Sequence, residues 1–410
     1  MRMNRREALT GLAGAVGAAA ASGARAAAPT PAPGRAGEFP RRADFAFAEG
    51  VTYINGAFTH PMPIAAAEAY RAAIARRSTV GGPFVPTADV RPLFARLINA
   101  SPDEIGFIPN TSSGENLVVE ALDLVPGRDN VVTDGLHFEG ALVHLTERKK
   151  RGLDVRVVMP REGRIHLADM EKVIDRRTRL VEVSHVAMYN GFQHDLKAVC
   201  DLAHAHGALV YADIIQGVGA VPLDVRASGL DFAATSTYKW LMGDFGLGFL
   251  YVKASLLERL RRPHWSYESA PDVAFHWSPT DPAAPKAIAY TPGAGAGPFA
   301  RVGTVASSVA AALDVSLPYI ERLGVANIEA HRVPLVRKLQ AEMPRLGFIP
   351  QTPAESTSPI VTFAHRDMAG LTKKLTAAKV DVRVAEHWLR IAPSVYNDMA
   401  DIDRLLDALS

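Results

Sequence analysis

Lys239 stands in the stretch TSTYKWLMGDFGLGFLYV, Thr235 to Val252, behind hydroxyl residues and a tyrosine and ahead of an apolar run spaced by glycines. An ammonium at the mouth of a buried strand is costly unless it is paired or kept neutral for chemistry. Lysine is also the rarer cation here, since most of the 45 basic residues are arginine. Three further stretches carry groups that suit a reactive amine. In FIPNTSSGENLVVEAL, 107–122, a strand runs into Thr111, Ser112 and Ser113 and a helix follows. Ser112 and Glu115 have capping-box spacing, so a plain helix start explains the stretch. An anion cup explains it equally, because hydroxyls and free N–H groups at a helix N-terminus attract phosphate. In ALVYADIIQGVGAV, 208–221, an apolar strand ends on Asp213 with Gln216 one turn on. Ligands of α/β sheets lie at the carboxyl ends of strands. Gly217 and Gly219 lack the third glycine of a dinucleotide fingerprint. VVTDGLHFEG, 131–140, ends another strand near His137 and Phe138, and alone it reads as a structural histidine.

Together these groups form a chemical unit. A lysine that forms a Schiff base, a carboxylate that keeps a ring nitrogen protonated, a flat partner for the ring and a hydroxyl-rich cup are what pyridoxal 5′-phosphate requires. The chain resembles the class V aminotransferase group of fold-type I pyridoxal-phosphate enzymes. That group includes cysteine desulfurases, isopenicillin-N epimerase-like proteins, kynureninase and C–S lyases. The resemblance runs from Tyr53 to Leu409. Its motifs are Asp213-x-x-Gln216, Ser236-x-Tyr238-Lys239, Gly303-Thr304 and LRIAPSVYN around Arg390.

The resemblance implies a role for each matched residue. Lys239 is the Schiff-base lysine, Asp213 pairs with the pyridine nitrogen and Gln216 contacts the phenolic oxygen. His137 stacks on the ring, or Phe138 if the register is one residue out. Thr111, Ser112, Ser236 and Tyr238 hold the phosphate, and Thr304 reaches it from the neighbouring subunit of a homodimer. Arg390 binds the substrate α-carboxylate, with Asn55 beside it, while Arg383 reads as an ordinary surface charge. Two departures stand out. SHVAMYNG has Met188 where the family's asparagine lies, with Asn190 as its candidate substitute. DVRVAEHWLRIAPS also lacks the cysteine that desulfurases carry before the arginine. A lysine that takes up the Cα proton serves transamination, epimerisation and elimination alike. The implied activity is an isopenicillin-N epimerase-like aminotransferase acting on an amino acid or amino-acid-bearing metabolite. The alternatives are a C–S lyase or epimerase and, from another class, a non-catalytic periplasmic binding protein.

Positioning these residues takes a strand–helix alternation. Apolar strands are predicted at 130–134, 155–159, 179–184, 208–213, 231–235 and 246–252, with amphipathic helices between them, such as HDLKAVCDLAHAHG ending on Gly207. That pattern predicts a mainly parallel α/β sheet, seven-stranded in the fold-type I family, covered by helices on both faces. The expected organisation is an N-terminal segment at 35–60, a large cofactor domain at 61–315 and a small C-terminal α+β domain at 316–410. The Pro/Gly/aromatic connection 261–301 and His387-Trp388 are expected to shape the side-chain pocket.

The 410 residues carry a formal charge of only +2, which gives no drive toward nucleic acid or an acidic membrane surface. The single cysteine, Cys200, excludes an intramolecular disulfide and a thiolate-rich metal site. His204 and His206 lie two apart on a helix and cannot share an ion. His137 and His144 bring no clear third ligand, so no metal is expected. The start, MRMNRREALTGLAGAVGAAAASGARAAAPTPAPG, has Arg5-Arg6, a Gly/Ala-rich run too weak to span a membrane and A-x-A spacing at Ala24–Ala26. It reads as a twin-arginine export signal and Pro-rich linker at 1–34, directing the protein to the periplasm.

Overall fold

The computed structural model describes residues 39–81, 87–270 and 289–410. The expected export signal, Trp277 and part of the aromatic connection lie outside the described residues.

A short strand β1 (Thr52–Tyr53) precedes the main sheet. That sheet contains β2 (Ile105–Ile108), β3 (Asn130–Asp134), β4 (Asp154–Val158), β5 (Thr178–Ser184), β6 (Leu209–Asp213), β7 (Phe232–Ser236) and β8 (Gly248–Val252). The spatial order is β2-β8-β7-β6-β5-β3-β4. Only β8 runs against its neighbours, pairing antiparallel with both β2 and β7. The strands are almost wholly buried because helices cover both faces, so they read as continuous apolar runs and not as alternating ones. All six predicted main-sheet strands are present, within two residues at each end.

Local chemistry fixes the connections. Helix Leu196–Ala205 is capped by the Asp195 side chain, which accepts from Ala198 N at 3.0 Å, and it ends ahead of Gly207 at φ +79°. The helix after β2 departs from the predicted capping box. Its cap is Asn110, whose Oδ1 accepts from Ser113 N at 2.9 Å. Glu115 is free of the cap and turns inward.

The chain beyond Leu323 builds a second layer. Strands β9 (Ile349–Pro350), β10 (Val361–Ala364), β12 (Arg383–Val384) and β13 (Trp388–Ile391) form an antiparallel sheet in the order β12-β13-β10-β9. Its apolar core gathers Leu335, Leu339, Phe363, Leu389 and Leu405 together with Ile54. Strand β11 (Val380–Asp381) pairs in parallel with β1, so the N-terminal segment joins this smaller layer. Helix Ser307–Leu323 runs through Pro318 and buries Val309, Leu313 and Leu317 in the core of the main sheet. Among the described residues no helix is long and apolar enough to cross a membrane.

Gly191 joins the two layers. It sits at φ +69°, and a Cβ there would run into the Ile360 carbonyl oxygen and come within 2.6 Å of Ser358 Oγ. Gly191→Ala therefore combines a left-handed backbone with a backbone clash. It should cost at least about 2 kcal/mol, readable as a lowered denaturation midpoint at unchanged m-value. Wild-type stability in Gly191→Ala would show that the turn yields freely.

Candidate active site

The main sheet brings the predicted groups together at the carboxyl ends of its parallel strands. Asp213 closes β6, Ser236 closes β7, and Tyr238 and Lys239 follow in the turn before β8. His137 lies in the turn after β3, where Leu136 N donates to Asp134 Oδ1 at 2.8 Å. The helix Thr111–Ala121 points its N-terminus at the same edge.

Lys239 is 7% exposed, and among the described residues its Nζ makes no hydrogen bond or ion pair and lies 5.7 Å from the centroid of the Tyr238 ring. Burial pushes its amine down from 10.5 to about 8, with Asp213 opposing and Arg390 reinforcing the shift. The amine thus releases its proton more readily than an ordinary lysine does. In cofactor-free protein, pulse acetylation read by peptide mapping should show Lys239 reactivity levelling off above about pH 8, ahead of an ordinary lysine. A rise that continued past pH 10 would contradict this environment.

Burial pushes the Asp213 carboxyl up to about 6, although His137 and the Ile215 amide favour the charged form. One oxygen accepts from Ile215 N at 2.9 Å, and the other is left to meet a cation. Gln216 is held at both ends: its Nε2 donates to Ala57 O at 3.1 Å and its Oε1 accepts from Trp240 Nε1 at 3.1 Å. Its second N–H remains for a ligand oxygen.

The hydroxyl cup is assembled. Thr111 N donates to Ser236 Oγ at 3.0 Å, and the Thr111 and Ser236 hydroxyls meet at 3.1 Å. Gly114 makes this approach possible, since a Cβ there would come within 2.7 Å of Ile108 Cδ1 and 3.0 Å of Ala234 Cβ. Ser112 lies half-buried on the first helical turn, and Tyr238 stacks on Phe245 at 4.3 Å between ring centroids. Thr304 is exposed on the connection between helices Ala296–Ala300 and Ser307–Leu323, with no bond to this cup.

His137 is fully buried, whereas Phe138 is the half-exposed N-cap residue ahead of the next helix. His137 Nδ1 lies 2.8 Å from Ser184 Oγ and Nε2 lies 2.9 Å from Glu115 Oε1. Burial disfavours its imidazolium, but Glu115, with Asp213 and Asp134 adding to it, outweighs that cost and the ring is raised to about 9. Neither Glu115 nor Ser184 stands out as a site residue in the sequence. Glu115, His144 and Glu182 also bring ligand-type atoms within 4.8 Å of one another, a cluster that the search for a third ligand beside His137 and His144 missed. His204 instead pairs with Asp231 at 2.7 Å.

Arg390 is buried on β13 and donates to the Met188 carbonyl at 3.2 Å. Its Nε has no partner, and burial pulls the guanidinium down to about 10, with Arg383 adding to the shift. Arg383 is registered opposite Arg390 across β12–β13, so it shares that face of the sheet and lies 5.3 Å over the Phe58 ring. Arg383 is exposed, as expected of a surface charge, and the strand pairing also makes it the neighbour of Arg390. Asn55 Nδ2 donates to Asp381 at 3.1 Å while its buried Oδ1 is unpartnered. Asn190 is occupied at both ends, donating to Gly163 O at 2.7 Å and accepting from Phe192 N at 3.0 Å. It therefore shapes the turn whose Met188 carbonyl holds Arg390, and its second N–H remains, as in Gln216. Cys200 is buried in a helix, and burial pushes its thiol up to about 12, so it is not a nucleophile.

A mainly parallel sheet with a buried lysine of lowered basicity after β7 and a carboxylate closing the neighbouring β6 has the groups that a Schiff-base cofactor requires. The Aminotransferase class-V family profile matches residues 86–405, and the chain belongs to the class-V aminotransferase family. It is thereby a pyridoxal-phosphate enzyme. The chain is 32% identical over 254 residues to a probable cysteine desulfurase of Methanothermobacter thermautotrophicus, covering 62% of this chain and 60% of that protein. It is 27% identical to the uncharacterized aminotransferase YcbU of Bacillus subtilis, covering 77% and 81%. Among solved structures it superimposes on the apo cysteine desulfurase of Thermococcus onnurineus at TM-score 0.77 and 22% identity, covering 89% and 95%. It superimposes equally, at TM-score 0.77 and 21% identity over 88% and 97%, on the cystine C–S lyase C-DES in complex with its product cysteine persulfide. The residues fit the cofactor: a hydroxyl cup at a helix N-terminus, an unpaired buried lysine and a carboxylate oxygen in want of a cation.

Proposed function

We propose that the chain removes the α-proton of an amino acid, or of a metabolite bearing an amino-acid head, and that the outcome is amino-group transfer. The observation that carries this reading is the buried, unpaired amine of Lys239, close enough to Asp213 and Arg390 to feel both charges. Bound through Lys239 and cupped by Thr111, Ser112, Ser236 and Tyr238, pyridoxal phosphate supplies an electron-accepting ring.

The chain's own groups do the rest. Arg390 presents a fork of N–H donors to the α-carboxylate, with its stem fixed by burial and the Met188 carbonyl. That contact turns the Cα–H bond toward Lys239, whose free amine takes the proton and can return it. Asp213, raised by burial to about 6, is stabilised as the anion by a facing cation, the role a protonated ring nitrogen fills. Thr304, exposed in one chain, is proposed to complete the cup of a second copy. The Arg5-Arg6 start is proposed to export the protein folded, with cofactor already bound.

Elimination of a sulfur leaving group from Cβ is the second outcome, favoured by the curated relatives named as cysteine desulfurases. No cysteine lies between Val380 and Arg390, so the sulfur would leave without an enzyme persulfide. Incubation with an amino-acid panel in deuterated buffer, followed by NMR, separates these outcomes. Deuterium at Cα with keto-acid release supports transfer, and loss of the Cβ substituent supports elimination. Exchange with no amino acid would overturn the reading.

A further inference from the structure

Beneath His137 lies a buried polar cluster that α-proton removal does not use. Glu115 comes from the helix Thr111–Ala121, His144 from the helix Glu139–Lys150, Glu182 from β5 and Tyr211 from β6. Glu115 and Glu182 are 2% and 0% exposed. His144 Nε2 stands 3.6 Å from Glu115 Oε1 and 3.7 Å from Glu182 Oε2, too far for hydrogen bonds. Both Glu182 oxygens and the Tyr211 hydroxyl lack a hydrogen-bond partner. Two carboxylates buried this deeply and this close together favour a shared proton over two charges. The one charge-assisted contact is His137 Nε2 to Glu115 Oε1 at 2.9 Å.

We propose that Glu115 is a positioning residue that keeps His137 doubly protonated against the cofactor ring, while Glu182 carries the proton that lets both acids share one site. The proposal rests on His137 being the ring's stacking partner. His137 faces Glu115 from the helix, Ser184 and Glu182 from β5, Asp134 from β3 and Asp213 from β6. Three of these acids favour the imidazolium, and burial alone opposes it. Glu182 is held well above the usual carboxylate range, first by burial and then by the Glu115 charge, which makes it the neutral partner. The consequence is a fixed positive charge beside the ring as negative charge develops at Cα, supplied by a residue three positions beyond the phosphate cup's Ser112.

The test is nitrogen-15 NMR of histidine-labelled holoenzyme, with His137 assigned through His137→Asn. Both ring nitrogens of His137 should carry protons from pH 6 to 8. Glu115→Gln should leave a neutral ring across that range, shift the cofactor absorption band and lower kcat about tenfold with KM moved less than twofold. Glu115→Asp should restore the protonated ring. Glu182→Gln replaces a neutral acid by a neutral amide, so His137 should stay doubly protonated in it. A neutral His137 in the wild type would overturn the proposal, as would a protonated one in Glu115→Gln. So would one equivalent of divalent metal in the purified protein that is lost in both glutamate variants. The NMR result needs no turnover, so it stands apart from an amino-acid panel that shows no exchange.

Discussion

Lys239→Ala should abolish Cα deuterium exchange, lowering it by about 10⁴-fold, while circular dichroism and the denaturation midpoint stay near wild type. The magnitude follows from the two duties that meet on one amine. A positioned acid–base group contributes up to about 10⁴-fold, and the same nitrogen also anchors the cofactor covalently. The fold should survive because the Lys239 amine forms no ion pair or hydrogen bond among the described residues, and removing it relieves a desolvated amine. Added small primary amines should restore part of the rate to Lys239→Ala by taking over the proton transfer. Exchange at wild-type rate in the variant would show that another group is the base.

Arg390→Ala has the second largest expected effect. Truncating one partner of a buried, charge-assisted pair costs roughly 2–5 kcal/mol, equivalent to about 30- to 5,000-fold in kcat/KM. The loss should fall mainly on KM for carboxylate-bearing substrates, with cofactor content unchanged. Decarboxylated amine analogues should lose little, because they never used the fork. Arg383→Ala should weaken KM by less, since that side chain is exposed and stacks on Phe58. Equal KM values for wild type and Arg390→Ala would place the carboxylate elsewhere.

The main sheet was legible because its strands are buried on both faces and keep apolar side chains at nearly every position, as in NVVTD and GFLYV. The site motifs were legible for a related reason: strand ends followed by polar residues mark the working edge of an α/β sheet. Glu115 was misassigned because local spacing to Ser112 matches a capping box. Only the depth of the helix against the sheet shows that its side chain faces His137. A signal was available in β5, where TRLVEVS places Glu182 inside the apolar run LVEV. A lone acid in such a run needs a partner or a proton. Arg383 is exposed as its sequence suggested, but its meeting with Arg390 depends on a β12–β13 register that no local pattern states. Asn190 likewise has two partners distant in sequence or set by a tight turn, Gly163 and Phe192.

The central claim is that Lys239 is the residue that carries the cofactor and the chemistry. Borohydride reduction of the holoenzyme, proteolysis and peptide mass spectrometry test it most directly. The account predicts loss of the visible cofactor band and a single pyridoxyl group on the peptide containing Lys239. A label on any other lysine, or none in protein that retains its visible band until reduction, would contradict it.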